Sequence, residues 1–166
     1  MQANDTVIQF SGLKPGRYTY QYTLDDTFFQ AFENDDLQKG TVTFDVEMEK
    51  KESIMLFHFS FRGTICTTCD RCLGEMTVSV EGDRHMCVKL SDEREEDDEE
   101  TTIVPMQTTK IDLAQWMYEY VLMAMPMRCV HDEADCDPAM LQRLKGQNED
   151  ENETPADPRW NALLKL

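Results

Sequence analysis

The chain has 166 residues, 40% hydrophobic and 30% charged, enough for one domain with its own core. Its 33 acids against 16 bases give a formal net charge of −17, which repels RNA at long range and favours solubility and basic protein partners. No stretch approaches the roughly 20 consecutive apolar residues that span a membrane. The opening MQANDTVIQF also lacks the basic-then-apolar pattern of a secretory signal. A soluble cytoplasmic protein is therefore expected. In that compartment six cysteines read as free thiols or metal ligands before disulfides.

Val7, Ile8 and Phe10 precede LKPGRYTYQYT, where Pro15-Gly16 marks a turn between two short strands. DDTFFQAFEND reads as a short helix, with Asp26 as its cap and Phe28, Phe29 and Phe32 on one side. Val42, Phe44, Val46 and Met48 then alternate with Thr43, Asp45 and Glu47, the pattern of a half-buried strand. Met55, Phe57, Phe59 and Phe61 repeat it, as do Met76, Val78 and Val80, and then Met86, Val88 and Leu90. Successive strands of this kind predict an antiparallel β-meander with one buried face, or a partly open barrel.

SDEREEDDEE holds eight acids and one arginine, so a disordered acidic loop is expected at about 91–102. It is either a solvated spacer or a docking arm for a basic partner. After Pro105 the period changes. Leu113, Trp116, Met117, Tyr120, Val121 and Ala124 form one face of a helix over 112–125, capped by Asp112 with Gln115 and ending before Pro126. Trp116 and Val121 should be buried against the sheet. GQNEDENETPAD follows as an acidic linker. In DPRWNALLKL, Asp157 and Pro158 start a short helix with Trp160, Leu163 and Leu164 on its apolar face. The fold class is thus α+β: a meander or partly open barrel packed against one long helix, with a short C-terminal helix. Residues 1–146 form a single β-rich domain, and 147–166 are the acidic linker and docking helix.

CTTCDRCLGE places Cys66, Cys69 and Cys72 three apart. Cys129, His131 and Cys136 follow in MRCVHDEADCDP, some sixty residues later. Zinc takes four tetrahedral ligands from Cys thiolate and His nitrogen, and a two-residue gap lets both sulfurs of a tight turn face one ion. Cys69, Cys72 and Cys136 are the expected ligands, with either His131 or Cys129 as the fourth, in a structural role. Arg71 would offset thiolate charge, and Gly74 would ease the turn. The competing readings are a turn whose thiols merely pack, and a redox pair of Cys69 and Cys72. Cys66 is a bystander, and Cys87 lies on the polar side of its strand. His58 and His85 have no partner nucleophile. Gly-rich phosphate loops and nucleophile elbows are absent, so no enzyme activity is expected.

Four segments, in order, resemble the YceD family, the large ribosomal RNA subunit accumulation proteins. GTICTTCDRCLGEMTVSV is similar to that family's strand–CxRCL–strand segment, and IDLAQWMYEYVLMAMPM to its helix. VHDEADC and DPRWNALLKL are similar to the segments that follow. Many members carry a second C-x-x-C after the helix. Here the chain reads CDPAMLQRLKG, which would make His131 or Cys129 the substitute ligand. The resemblance implies a bacterial, non-enzymatic factor in 23S rRNA accumulation or processing. With the charge, it points to a ribosomal or rRNA-processing protein as partner, and disfavours direct contact with RNA. The alternatives are a thiol redox protein using Cys69 and Cys72, and a generic protein-interaction module.

Overall fold

The computed structural model describes residues 6–32, 34, 37–92 and 100–153, with side chains through 146. The chain divides into two units. One takes the chain up to Thr67 together with Thr77–Met127; the other takes Thr68–Met76 together with the chain from Arg128 onward.

The first unit is built on β2 (Gly16–Leu24), β3 (Lys39–Lys50), β4 (Ile54–Thr68), β5 (Glu75–Leu90) and β6 (Thr101–Val104), with β1 (Val7–Gln9) and β7 (Lys110–Asp112) apart from them. The five strands form one open sheet in the order β2-β3-β4-β5-β6, not a barrel. Register explains the single buried face. Phe44 pairs with Phe61, Val46 with Phe59 and Met48 with Phe57 across β3 and β4. Tyr22, Tyr20 and Tyr18 of β2 pair with Phe44, Val46 and Met48. Side chains alternate along a strand, so these pairings put Phe44, Val46, Met48, Phe57, Phe59 and Phe61 on the same side.

The meander fails at two places. Two strands were expected over 76–80 and 86–90, but β5 runs unbroken for 16 residues. Val78, Val80, Met86 and Val88 share one parity and are buried, so no turn is needed between them. Gly82 carries the same parity: a Cβ there would meet the Phe61 ring at 2.9 Å. This glycine makes room for an aromatic ring and does not end a strand. Second, β6 runs parallel to β5, pairing Cys87 with Thr101 and Leu90 with Val104, so the sheet is mixed. Pro15-Gly16 does not join a hairpin either; β1 pairs with β7, Ile8 opposite Ile111.

Helix α1 (Asp26–Gln30) is capped by Asp25, one residue earlier than expected; its carboxylate accepts from the N–H groups of Thr27 and Phe28. Asp26 instead accepts from the Gly40 N–H at 2.8 Å. Helix α2 (Ala114–Ala124) spans eleven residues, shorter than the helix expected over 112–125. Asp112 accepts from the Ala114 N–H, but Gln115 bonds Glu119 and closes no capping box. α2 lies on the apolar face of the sheet, with Tyr120 edge-on to Phe59 at 5.2 Å and Trp116 beside Phe57 at 6.2 Å. Val121 is buried as expected, whereas Trp116 is only half-buried. Tyr118, absent from the predicted face, is buried and stacks on Phe32 at 4.1 Å, its hydroxyl accepting from Asn34.

The second unit contains α3 (Pro138–Glu153), which the sequence reading did not predict. Asp137 accepts from the Ala139 N–H at 2.8 Å, and Pro138 occupies the first turn, where a missing N–H costs nothing. The expected acidic loop falls mostly on 93–99 and the expected C-terminal helix on 157–164, both outside the described residues. Among the described residues no helix is long and apolar enough to cross a membrane.

Candidate metal centre

The sequence C-D-R-C-L-G folds into a tight turn. The Cys69 N–H donates to the Gly74 carbonyl, and the Leu73 N–H to the Cys69 carbonyl, each at 2.8 Å. The left-handed position in this turn is Leu73, at φ 60°, not Gly74. Gly74 serves differently: a Cβ there would press on the Cys72 Sγ at 3.4 Å and the His131 ring at 3.5 Å. The turn aims backbone donors at a sulfur, with the Arg71 N–H 3.4 Å from the Cys69 Sγ.

The second segment is clamped to this turn through Asp70 and Cys129. The Asp70 N–H donates to the Cys129 carbonyl, and the Cys129 N–H donates to the Asp70 carboxylate, both at 2.7 Å. Two residues on, the His131 N–H donates to the Cys69 Sγ at 3.4 Å. A turn closed by the Asp135 N–H on the Asp132 carbonyl then brings Cys136 back, just ahead of α3.

Four donor atoms converge. The Sγ atoms of Cys69, Cys72 and Cys136 and a ring nitrogen of His131 all lie within 4.8 Å of one another. The Cys69 and Cys136 sulfurs are 4.0 Å apart, and the Cys72 sulfur is 3.4 Å from the His131 Nδ1. Zinc bonds of about 2.3 Å to sulfur and about 2.0 Å to nitrogen imply tetrahedral edges of roughly 3.8 Å between sulfurs and roughly 3.5 Å from sulfur to nitrogen. The donor set therefore fits one tetrahedral ion with little movement. All three sulfurs are buried, and Met76, Val130, Met140 and Leu141 pack around them.

Histidine tautomer follows from its outer contact. The His131 Nε2 lies 3.1 Å from the Glu75 carbonyl oxygen, which can only accept. The neutral ring therefore carries its proton on Nε2 and turns a bare Nδ1 lone pair toward the sulfurs, the arrangement a metal ligand needs. Charge is graded across the cluster. Burial pushes the Cys69 thiol up, but the N–H groups of His131, Cys72 and Arg71 outweigh it and bring the thiol to about 6. Hydrogen bonds from the Asp137 and Gly74 backbone lower Cys72. Burial, then the Cys72 and Cys69 sulfurs, push Cys136 up to about 11. The hydrogen bond to Cys72 raises His131. The Arg71 guanidinium stands 3.9 Å from the Cys136 Sγ, placed to offset thiolate charge.

Of the five residues singled out in the sequence, the structure brings Cys69, Cys72, His131 and Cys136 together. Cys129 stays outside the cluster. Its part is the backbone clamp with Asp70, and burial, followed by Asp70 and Cys69, raises its thiol. Cys66 is exposed and its Sγ lies 3.9 Å from the Thr77 hydroxyl. On the solvent side of the sheet the His58 and His85 rings stack at 4.5 Å, and the His58 Nε2 is 3.5 Å from Asp83. The Asp70 clamp and the Glu75 carbonyl carry no sequence signal, because each joins a residue near the turn to a main-chain or ring atom of the distant second segment.

Comparison with the curated proteins and with the solved structures finds no match to the chain. Comparison with protein families matches residues 57–166 to the family described as large ribosomal RNA subunit accumulation protein YceD. That span runs from near the start of β4 past the second cysteine segment and takes in every donor of the cluster. The chain belongs to the YceD family.

Proposed function

We propose that this chain is a non-enzymatic, cytoplasmic ribosome-biogenesis factor. It supports accumulation and processing of 23S rRNA by binding a basic ribosomal or rRNA-processing protein. The observation that carries the reading is the family match over 57–166, whose description names large-subunit rRNA accumulation. The net charge of −17 supports a basic protein as the principal partner.

In the same reading Cys69, Cys72, His131 and Cys136 hold one structural zinc. Four protein donors complete a tetrahedron and leave no position for substrate. When bound, the ion cross-links two segments distant in sequence. The chain's own residues do the rest: Arg71 offsets charge, the Glu75 carbonyl orients the imidazole, and the clamp of Asp70 with Cys129 fixes the approach of the second segment. Burial of both Cys69 and Cys72 favours this role over a redox pair, whose attacking thiolate must be reached by a partner disulfide.

Deletion of the gene, followed by measurement of 23S rRNA and its precursors, tests the function. Loss of mature 23S rRNA with 16S rRNA unchanged is expected. Unchanged 23S rRNA would defeat the reading. Capture of partners with and without ribonuclease tests the protein route: a partner that survives ribonuclease supports it, and one released by ribonuclease sinks it.

A further inference from the structure

The chain is poor in bases, yet the second unit gathers three of its 16 around one groove. Arg71, Arg128 and Lys145 line a cleft of about 280 Å³ together with Glu133, Leu141 and Leu144. These bases lie at positions 71, 128 and 145, so no sequence run announces them. Their states differ. Lys145 is engaged by Glu133, Nζ to Oε1 at 2.9 Å, and Lys145 with Arg71 holds the Glu133 carboxyl below its usual range. Arg71 is held in its turn between Cys69 and Cys72 and leans on the Cys136 sulfur. Arg128 is exposed and, among the described residues, makes no ion pair. One acid faces three cations here, whereas acids outnumber bases about two to one in the chain as a whole.

We propose that this groove is a phosphate-binding site that takes the backbone of single-stranded RNA. Guanidinium groups present paired N–H donors matched to phosphate oxygens, and an anion arriving at Lys145 competes directly with Glu133. Leu141 and Leu144 supply an apolar wall against which a ribose or base can lie. A groove of this size admits a nucleotide, not the face of a folded protein. The family's rRNA-centred description favours RNA over an acidic peptide. The inference rests on the ribosomal reading and adds to it a direct contact with RNA, local enough to act despite the chain's overall charge.

On single strands each neutralised phosphate contributes about 0.7 to the slope of log affinity against log salt. Near 0.1 M salt that corresponds to about fivefold in affinity for each contact, so reversing two bases should weaken binding by about 25-fold or more. The experiment uses the full, zinc-supplied protein and a fluorescently labelled single-stranded RNA oligonucleotide, read by anisotropy across a salt series. Arg128→Glu with Lys145→Glu is the test variant; neither residue belongs to the Cys–His cluster. Arg17→Glu, an exposed base on β2 facing Glu49, controls for net charge. Expected are salt-sensitive binding by the native chain, loss in the double variant with a shallower slope, a much smaller change in Arg17→Glu, and recovery in Arg128→Lys. Equal weakening by Arg17→Glu, or a double variant that binds as the native chain does, overturns the proposal. So does preference for a polyglutamate peptide over RNA. Complementation of a deletion strain separates the two levels. If the native gene restores 23S rRNA, the ribosomal reading stands whatever the groove does. If deletion leaves 23S rRNA unchanged, that reading falls while the binding data still judge the groove.

Discussion

Removing metal from the Cys–His cluster should weaken the fold by an amount the chain topology sets. Cys72 and His131 stand 3.4 Å apart through Sγ and Nδ1 but are separated by nearly sixty residues. An ion joining them closes that length of chain. In the loop-entropy account developed for cross-links, a loop of about 60 residues confines the unfolded chain by about 4 kcal/mol. At about 2–4 °C per kcal/mol for a chain of this length, that corresponds to a fall of roughly 8–16 °C in Tm on chelation. Elemental analysis of protein purified without chelator should give one zinc per chain. Thermal and urea unfolding with and without chelator should show the shift. Two variants then separate the ligand set from its support. His131→Ala removes a converging donor and should abolish stoichiometric zinc after dialysis. Cys129→Ala leaves the Asp70 clamp intact, since Cys129 contributes its N–H and carbonyl there, and should retain zinc. Loss of zinc from Cys129→Ala with retention in His131→Ala would refute the geometry, and a Tm indifferent to chelator would refute the cross-link.

Phe59 is fully buried between Trp116 and Tyr120, so Phe59→Ala should cost about 3–5 kcal/mol in urea unfolding. Trp116→Ala, at a half-buried position, should cost less; the reverse order would mean that α2 packs differently. The Tyr120 hydroxyl is buried with no hydrogen-bond partner among the described residues, so Tyr120→Phe should hold or raise stability, by up to about 1 kcal/mol. Burial, reinforced by Glu119, lifts the Tyr120 phenol from 10 in the unfolded chain to about 12. A raised folded value means its contribution is complete below about pH 10 and is lost as pH rises toward 12. Tyr120→Phe should flatten that alkaline loss, as unfolding curves across this range would reveal. Leu73 holds φ 60° while 69% exposed, so stability with zinc present should rank Gly above Leu above Val at this position. The Val variant should lie about 1 kcal/mol below the Gly variant, because a β-branched side chain suits that backbone least.

The alternating runs were legible because one physical rule, alternation against a single buried face, controls them. Val42 to Met48 and Met55 to Phe61 lie on strands paired as their periods require. Where a local signal served a distant contact, the reading failed. Gly82 looks like a break and is instead the space for Phe61, which lies twenty-one residues earlier. The parallel pairing of β6 has no local signature, since Thr101–Val104 fits either direction. Asp137-Pro138 carries the same cap-and-proline signal as Asp157-Pro158. It was masked because Cys136 beside it drew a reading as metal chemistry, and the acids of 149–153 read as a linker rather than as part of α3.

The candidate site divides along the same line. Cys69 and Cys72 were visible because a two-residue gap already fixes how two sulfurs face one point. His131 and Cys129 could not be separated by spacing, since either could reach an ion. The choice depends on main-chain bonds: Asp70 engages the Cys129 backbone, and that leaves the residue two positions on to swing its ring toward Cys72. The Glu75 carbonyl then decides which nitrogen is bare. The basic groove is further from the sequence still. Arg71 was read only as a counter-charge to thiolates, and Arg128 carried no reading at all. Their meeting with Lys145 requires the turn, the clamp and α3 to be in place together. A net charge summed over the chain erases such a place, because three bases in one groove weigh little against the chain's thirty-three acids. Phosphate, however, responds to the charges within a screening length of it, about 10 Å at 0.1 M salt, and not to the sum. The same acidity that discourages RNA from the rest of the surface would then favour binding only where these bases converge.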